Sequence, residues 1–178
     1  MTPITIHDKN FELFIDRSSI RKAVNKLAQQ LKEDLNGEVP IFISILNGAF
    51  IFAADFMRAY EGECEISFIK LASYQKTAST GNVKKLLGIN EDLKNRTVVV
   101  LEDIIDTGTT LQSIYEILGK EQVKALKLVT LFFKPDVFRK ELHIDYVAFE
   151  IQDRFIVGYG LDYDGLGRNL PDLYKLSN

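Results

Sequence analysis

The sequence predicts an α/β fold in which a mostly parallel sheet, flanked by helices, carries a small hood. Three observations predict it. Apolar runs of strand length alternate with helical periodicities along most of the chain, the pattern of helices laid against a parallel sheet. The run Thr97-Val98-Val99-Val100-Leu101 is dominated by β-branched residues, as in strands buried on both faces. From Ile151 to Asn178 the rhythm stops and Gly, Asp and Tyr take over, so the tail is expected to lie over one end of the sheet.

Size and charge bound the rest. A chain of 178 residues suits one domain that buries roughly 70% of its unfolded surface on folding. The expected division is one domain over 1–178, with a core from about 17 to 150 and a hood from about 1–16 and 151–178. The 22 Lys and Arg against 25 Asp and Glu give a net charge of -3. That balance lacks the basic footprint of a nucleic-acid or anionic-membrane binder, so neither is expected as a partner. Cys64 is the single cysteine, and Met1 to Asn10 contain no apolar stretch of signal-peptide type, so a cytoplasmic location is expected.

Each element follows from its own pattern. Ile20, Val24, Leu27, Ala28, Leu31 and Leu35 form the apolar stripe of an amphipathic helix, with Ser18 or Ser19 as the candidate cap and Gly37 as the stop. Ile41 to Leu46 reads as a buried strand, Asn47-Gly48 as a turn and Ala49 to Tyr60 as a helix. Ser44, Asn47 and Gly48 interrupt this stretch, which is also too short to cross a membrane. Ile66 to Ala72 suits a strand, and Gln75 to Lys85 has the polar, aperiodic composition of a mobile loop. After the Val-rich strand, Thr109 to Gly119 looks helical, and Ala125 to Phe133 and Tyr146 to Phe149 look like strands.

Ligands of open α/β sheets sit outside the carboxyl ends of the strands, which directs attention to Glu102-Asp103-Ile104-Ile105-Asp106-Thr107-Gly108-Thr109-Thr110. Three carboxylates packed so closely are unfavourable unless a cation or a polyhydroxyl ligand uses them. The small-residue turn at Asp106 to Thr110 enters a helix and would offer backbone N–H groups and hydroxyls to a phosphate. The plain alternative is an acidic helix start with ordinary caps. No Gly-x-x-x-x-Gly-Lys-Ser/Thr pattern occurs, which excludes a Walker-type loop. A receiver-like phosphoacceptor module remains the rival.

Val98 to Leu111 closely resembles the phosphoribosyl-pyrophosphate motif of purine phosphoribosyltransferases: four hydrophobics, Glu-Asp, two hydrophobics, then Asp-Thr-Gly and Thr. Similarity runs from about Ile41 to Pro171 and narrows to the hypoxanthine (hypoxanthine-guanine) phosphoribosyltransferase family, with its type I phosphoribosyltransferase fold. The resemblance implies transfer of 5-phosphoribosyl from phosphoribosyl pyrophosphate to N9 of a 6-oxopurine, releasing pyrophosphate, with Mg²⁺ as cofactor. It implies that Glu102 and Asp103 hold the ribose hydroxyls, directly or through Mg²⁺, and that Asp106, Thr107, Gly108, Thr109 and Thr110 cradle the 5'-phosphate. Asp106 is the implied general base beside purine N7.

By the same resemblance, Leu46, Asn47 and Gly48 form a pyrophosphate loop that often contains a cis peptide, although many relatives have Lys where this chain has Asn47. Ser73 and Tyr74 would begin a lid near the pyrophosphate, and Arg168 would clamp it. Lys134 would donate to the purine 6-oxo group, Phe155 would stack on the ring and the Ile156 backbone would read its edge. Asp162 would hold a second Mg²⁺. Family members form dimers or tetramers, so a homodimer or homotetramer is expected, with the helix bearing Phe50, Phe52 and Phe56 as an interface. A non-catalytic sensor of phosphoribosyl pyrophosphate is the alternative within the same fold; Asp106, Lys134 and Phe155 argue against it, since a sensor needs no base pocket. The choice among hypoxanthine, guanine and xanthine stays open.

Overall fold

The computed structural model describes residues 3–72, 84–87 and 89–177. Within them, six strands form the main sheet: β3 (Ile41–Leu46), β4 (Glu65–Ala72), β5 (Lys84–Leu87), β6 (Thr97–Ile105), β7 (Ala125–Phe133) and β8 (Tyr146–Glu150). Their order is β5-β4-β3-β6-β7-β8. All neighbours from β4 to β8 are parallel, and β5 alone runs antiparallel against β4. A second, antiparallel sheet joins β1 (Ile4–Ile6) and β2 (Lys9–Ile15) to β10 (Leu173–Leu176) and β9 (Ile156–Val157), in the order β1-β2-β10-β9.

Strand alternation sorts the main sheet into two faces. Phe42, Val99, Leu101 and Val129 pack with the buried stripe of α1 (Arg17–Leu35) and with Phe52 and Phe56 of α2 (Phe50–Ala59). Their alternates Ile41, Ile43, Ile45, Val98, Val100 and Leu128 meet Leu111, Ile114 and Leu118 of α3 (Thr109–Leu118). The central strands are therefore apolar on both faces over most of their length, which is why Val98 to Leu101 of β6 read as an unbroken hydrophobic run.

Several expectations change in detail. The cap of α1 is Asp16, not Ser18 or Ser19: Asp16 is extended (φ -77, ψ 153), and its two carboxylate oxygens accept from the Ser19 amide and hydroxyl, each at 3.0 Å. The helix starts before its apolar stripe, so the two serines already lie inside it. At the far end Asn36 takes the left-handed position (φ 47), with Gly37 (φ 85) directly after it. The Val-rich strand continues to Ile105, so Glu102 and Asp103 are strand residues rather than part of a following loop. Lys84 and Lys85, placed at the end of the polar loop, belong to β5. Ser73, Tyr74 and the loop residues as far as Val83 lie outside the described residues.

Candidate active site

At the carboxyl ends of β3 and β7 the main sheet meets the carboxyl-terminal stretch, through Gly48 against Gly160 and Lys134 against Asp153, with the end of β6 between them. The Leu46–Asn47 peptide after β3 is cis. Gly48 follows directly against Asp103: a Cβ at Gly48 would run into the Asp103 carboxylate. From the other side the tail closes in, because a Cβ at Gly160 would meet the Gly48 carbonyl oxygen. Gly160 has φ 101, so two constraints exclude a side chain there. The turn, the acid of β6 and the tail are thus packed at backbone distance.

Glu102 and Asp103 are both buried. Burial pushes Asp103 up to about 6, moderated by backbone hydrogen bonds and by Arg168. Burial also raises Glu102 well above the ordinary carboxylate range, and Asp103 adds repulsion. Glu102 Oε2 has no hydrogen-bond partner among the described residues. An uncompensated buried carboxylate is costly, so this pair has the chemistry of a site completed by a ligand.

Beyond them the chain turns into α3. Gly108 occupies the N-cap position with φ 84, and no side chain caps the first turn. A Cβ on Gly108 would meet the Phe138 ring and Lys140, so the turn needs glycine for space as well as for backbone angle. Thr107 and Thr109 place their hydroxyls 3.1 Å apart at the mouth of this turn, and Thr110 lies exposed beside them. Exposed hydroxyls at an uncapped helix start have the chemistry to receive an anion.

Asp106, at the entrance to the turn, is half-exposed (51%), whereas the Lys134 side chain at the end of β7 is only 7% exposed. The Lys134 ammonium is 3.6 Å from Asp106 Oδ2 and 2.8 Å from Asp153 Oδ1. Lys134 holds the Asp153 carboxyl below the usual range through that bond. Two residues further on, Phe155 is 43% exposed, the edge of Tyr163 meeting it at 5.5 Å and 89° and Phe11 tilted at 6.0 Å. Tyr163 is itself tied to the amino-terminal hairpin, donating to Asp8 at 2.6 Å. The Phe155 ring is therefore supported from behind and open in front. Ile156 is buried and pairs with Lys175 of β10.

Arg168 and Asp162 form a closed unit. Arg168 pairs with Asp162 Oδ1 at 2.6 Å and donates to the Gly160 carbonyl at 2.7 Å, while Asp162 Oδ2 accepts from the Gly165 amide at 2.7 Å. Among the described residues no three His, Cys, Asp or Glu side chains are gathered as a metal cage, and both Asp162 oxygens are engaged. Glu102 and Asp103 remain suitable for a hard cation, the orphaned Oε2 in particular, with the other ligands coming from a bound anion.

The stretch Asp153 to Tyr163 resembles the family's base-binding segment, but no individual contact is legible in it for Asp153 or Tyr163, nor for Tyr159, which donates to Asp55 of α2 at 2.7 Å. No spacing rule joins positions 134 and 153, or 159 and 55; only the fold brings them together.

Residues 15–164 match the family model described as a phosphoribosyl transferase domain. A hypoxanthine-guanine phosphoribosyltransferase of Aquifex aeolicus is 34% identical over 175 residues, covering 97% of this chain and 98% of that protein. A crystal structure of a hypoxanthine phosphoribosyltransferase from Staphylococcus aureus superposes with a TM-score of 0.88 at 36% identity, over 93% of this chain and 91% of the other. A hypoxanthine-guanine phosphoribosyltransferase from Bacillus anthracis, solved with a HEPES molecule in its active site, gives 0.87 at 37% identity, over 94% and 97%.

Proposed function

Since the chain belongs to the phosphoribosyl transferase family and matches its hypoxanthine-guanine members over nearly its whole length, it is a purine-salvage transferase, and we propose that Asp106 and Lys134 carry its chemistry. Phosphoribosyl pyrophosphate and a 6-oxopurine are the substrates. The N9 lone pair of the purine forms the bond to C1 of the ribose, while the bond from C1 to the pyrophosphate oxygen breaks and its electron pair leaves with pyrophosphate. The ring proton passes to Asp106, which makes the purine a better nucleophile as the bond forms. A positioned base of this kind contributes about 10²- to 10⁴-fold in rate.

The observation that carries this reading is the Lys134 ammonium, buried at the end of β7 and within 3.6 Å of Asp106. An ammonium only donates, so it accepts a 6-oxo group as partner and rejects a 6-amino group. Phe155 supplies the stacking face, and the Ile156 backbone meets the edge of the ring. The uncapped start of α3, with Thr107, Gly108, Thr109 and Thr110, holds the 5'-phosphate. Backbone groups of Leu46, Asn47 and Gly48, together with Arg168, hold the pyrophosphate; Ser73 and Tyr74 join them on resemblance alone. Glu102 and Asp103 hold the ribose hydroxyls and Mg²⁺, which supplies charge neutralisation to a substrate that four acids would otherwise repel. Asp162, paired with Arg168 at 2.6 Å, would hold a second Mg²⁺ at the pyrophosphate.

Among the described residues no helix is long and apolar enough to cross a membrane, and we place the reaction in the cytoplasm. A homodimer or homotetramer is proposed, with the exposed Phe50 of α2 at the interface; light scattering on the purified protein decides it. Incubation with phosphoribosyl pyrophosphate, Mg²⁺ and hypoxanthine should yield the nucleoside 5'-monophosphate and pyrophosphate. Absence of both products overturns the assignment. Lys134→Ala should weaken the preference for 6-oxo over 6-amino purines, and an unchanged preference removes Lys134 as the reader of that edge.

A further inference from the structure

The Lys134 side chain has four rotatable carbons and a point charge at its tip, so its chemistry does not by itself fix where the ammonium stands. Two carboxylates do that, unequally. Asp153 Oδ1 lies at hydrogen-bond distance, 2.8 Å, whereas Asp106 Oδ2 lies at 3.6 Å, close enough for attraction but beyond a normal N–H···O contact. An ammonium has three N–H donors. One is taken by Asp153, and the rest remain available beside Asp106. With its side chain 7% exposed, Lys134 has little contact with water, and the two carboxylates are its charged neighbours.

Asp153 comes from a different part of the fold than the base. It lies three positions before the start of β9 at Ile156 and stands on the same segment as Phe155, so one stretch of backbone places both the stacking ring and the ammonium. If Asp153 were neutral, Asp106 would be the remaining carboxylate near Lys134. The ammonium would close on it and occupy the oxygen that must accept the purine proton.

We infer that Asp153 is a positioning residue for the transfer reaction: it draws the Lys134 ammonium off Asp106, leaving the base free and a donor aimed at the purine 6-oxo group. This rests on the reading of Lys134 as the 6-oxo donor. It predicts a split in the kinetics that a structural role would not produce. Asp153 is 57% exposed, so its replacement leaves the fold intact.

The test combines Asp153→Asn and Asp153→Glu with Lys134→Ala, measuring KM for hypoxanthine and for phosphoribosyl pyrophosphate, kcat, 6-oxo preference and thermal unfolding. Asp153→Asn should lower kcat/KM for hypoxanthine roughly tenfold with KM for phosphoribosyl pyrophosphate and the unfolding temperature unchanged. Glutamate at this position should recover part of the loss. In the Lys134→Ala background, Asp153→Asn should cause no further loss. A loss of the same size in that background, or a parallel rise in KM for phosphoribosyl pyrophosphate, overturns the inference. If Lys134→Ala keeps the 6-oxo preference, the reading of Lys134 fails and Asp153 falls with it. If that variant loses the preference while Asp153→Asn behaves as wild type, Asp153 alone is excluded.

Discussion

At the amino end of β6 the Thr97 hydroxyl donates to Glu38, and the other oxygen of Glu38 pairs with Lys124 at 2.7 Å. At the carboxyl end of the same strand, Glu102 is buried with Oε2 unpartnered among the described residues, and burial lifts Asp103 to about 6. One end has its charges and donors matched within the protein. The other concentrates acids next to an uncapped helix start. Groups satisfied internally contribute to folding; groups left unsatisfied at a strand end suit the proposed ligand, which brings both hydroxyls and negative charge. The difference separates residues kept for stability from residues kept for chemistry, and substitutions at the two ends should therefore move different observables.

The largest effect should come from the base. Asp106→Asn is expected to cut turnover by about 10²-fold or more while nucleotide affinity is largely kept, because the amide preserves size and polarity and loses only the proton acceptor. Single-turnover rates together with nucleotide titration check this. Turnover near wild type would remove Asp106 from the proton path and leave the carboxyl end without a base.

Next in size is a trade between activity and stability. Glu102→Gln removes a carboxylate that the ligand-free protein holds buried, and it should stabilise that form by about 1 kcal/mol or more while lowering kcat/KM. Glu38→Gln, at the opposite end, should lower stability with kcat/KM unchanged, since Thr97 and Lys124 both lose a charged acceptor. Urea unfolding of the two variants, without substrates, reads the contrast. If Glu102→Gln also loses stability, the orphaned oxygen is compensated in solution and the two ends do not differ as described.

How much of this could be read from the chain depends on distance along it. The strands Ile41–Leu46 and Ala125–Phe133 and the stripe of α1 match their sequence patterns because burial on one or two faces writes itself locally as period. The cap of α1 was misplaced because Ser18 and Ser19 are as competent as Asp16, and the choice depends on where the chain leaves β2. The small sheet was legible only as a break in rhythm: β2 and β10 pair across more than 150 positions, and β9 is two residues long. In the site, contiguous residues such as Glu102 to Thr110 carry a readable pattern. Asp153 beside Lys134, Tyr163 behind Phe155 and Gly160 against Gly48 are contacts between segments far apart in sequence, and no local rule encodes them. A metal-holding role for Asp162 is what the family resemblance implies; its bonds to Arg168 and the Gly165 amide are visible only in the fold.

The smallest expected effects separate the two helix starts, α1 and α3. Asp16 closes the first turn of α1 with both carboxylate oxygens, whereas α3 begins at Gly108 with no side-chain cap. Both starts have the same unsatisfied amides and the same favourable field for negative charge, so only the provision of a carboxylate distinguishes them. Asp16→Ala should therefore lower the unfolding temperature and leave KM for phosphoribosyl pyrophosphate unchanged, because α1 loses a group that served folding alone. Thr109→Ala should do the reverse: a few-fold rise in that KM, in line with the loss of one hydrogen bond, with little change in unfolding temperature. Measuring both quantities on both variants gives a crossed pattern if α3 is left open for the 5'-phosphate. If Thr109→Ala moves stability and not KM, the first turn of α3 is an ordinary helix start, and the phosphate must be held elsewhere.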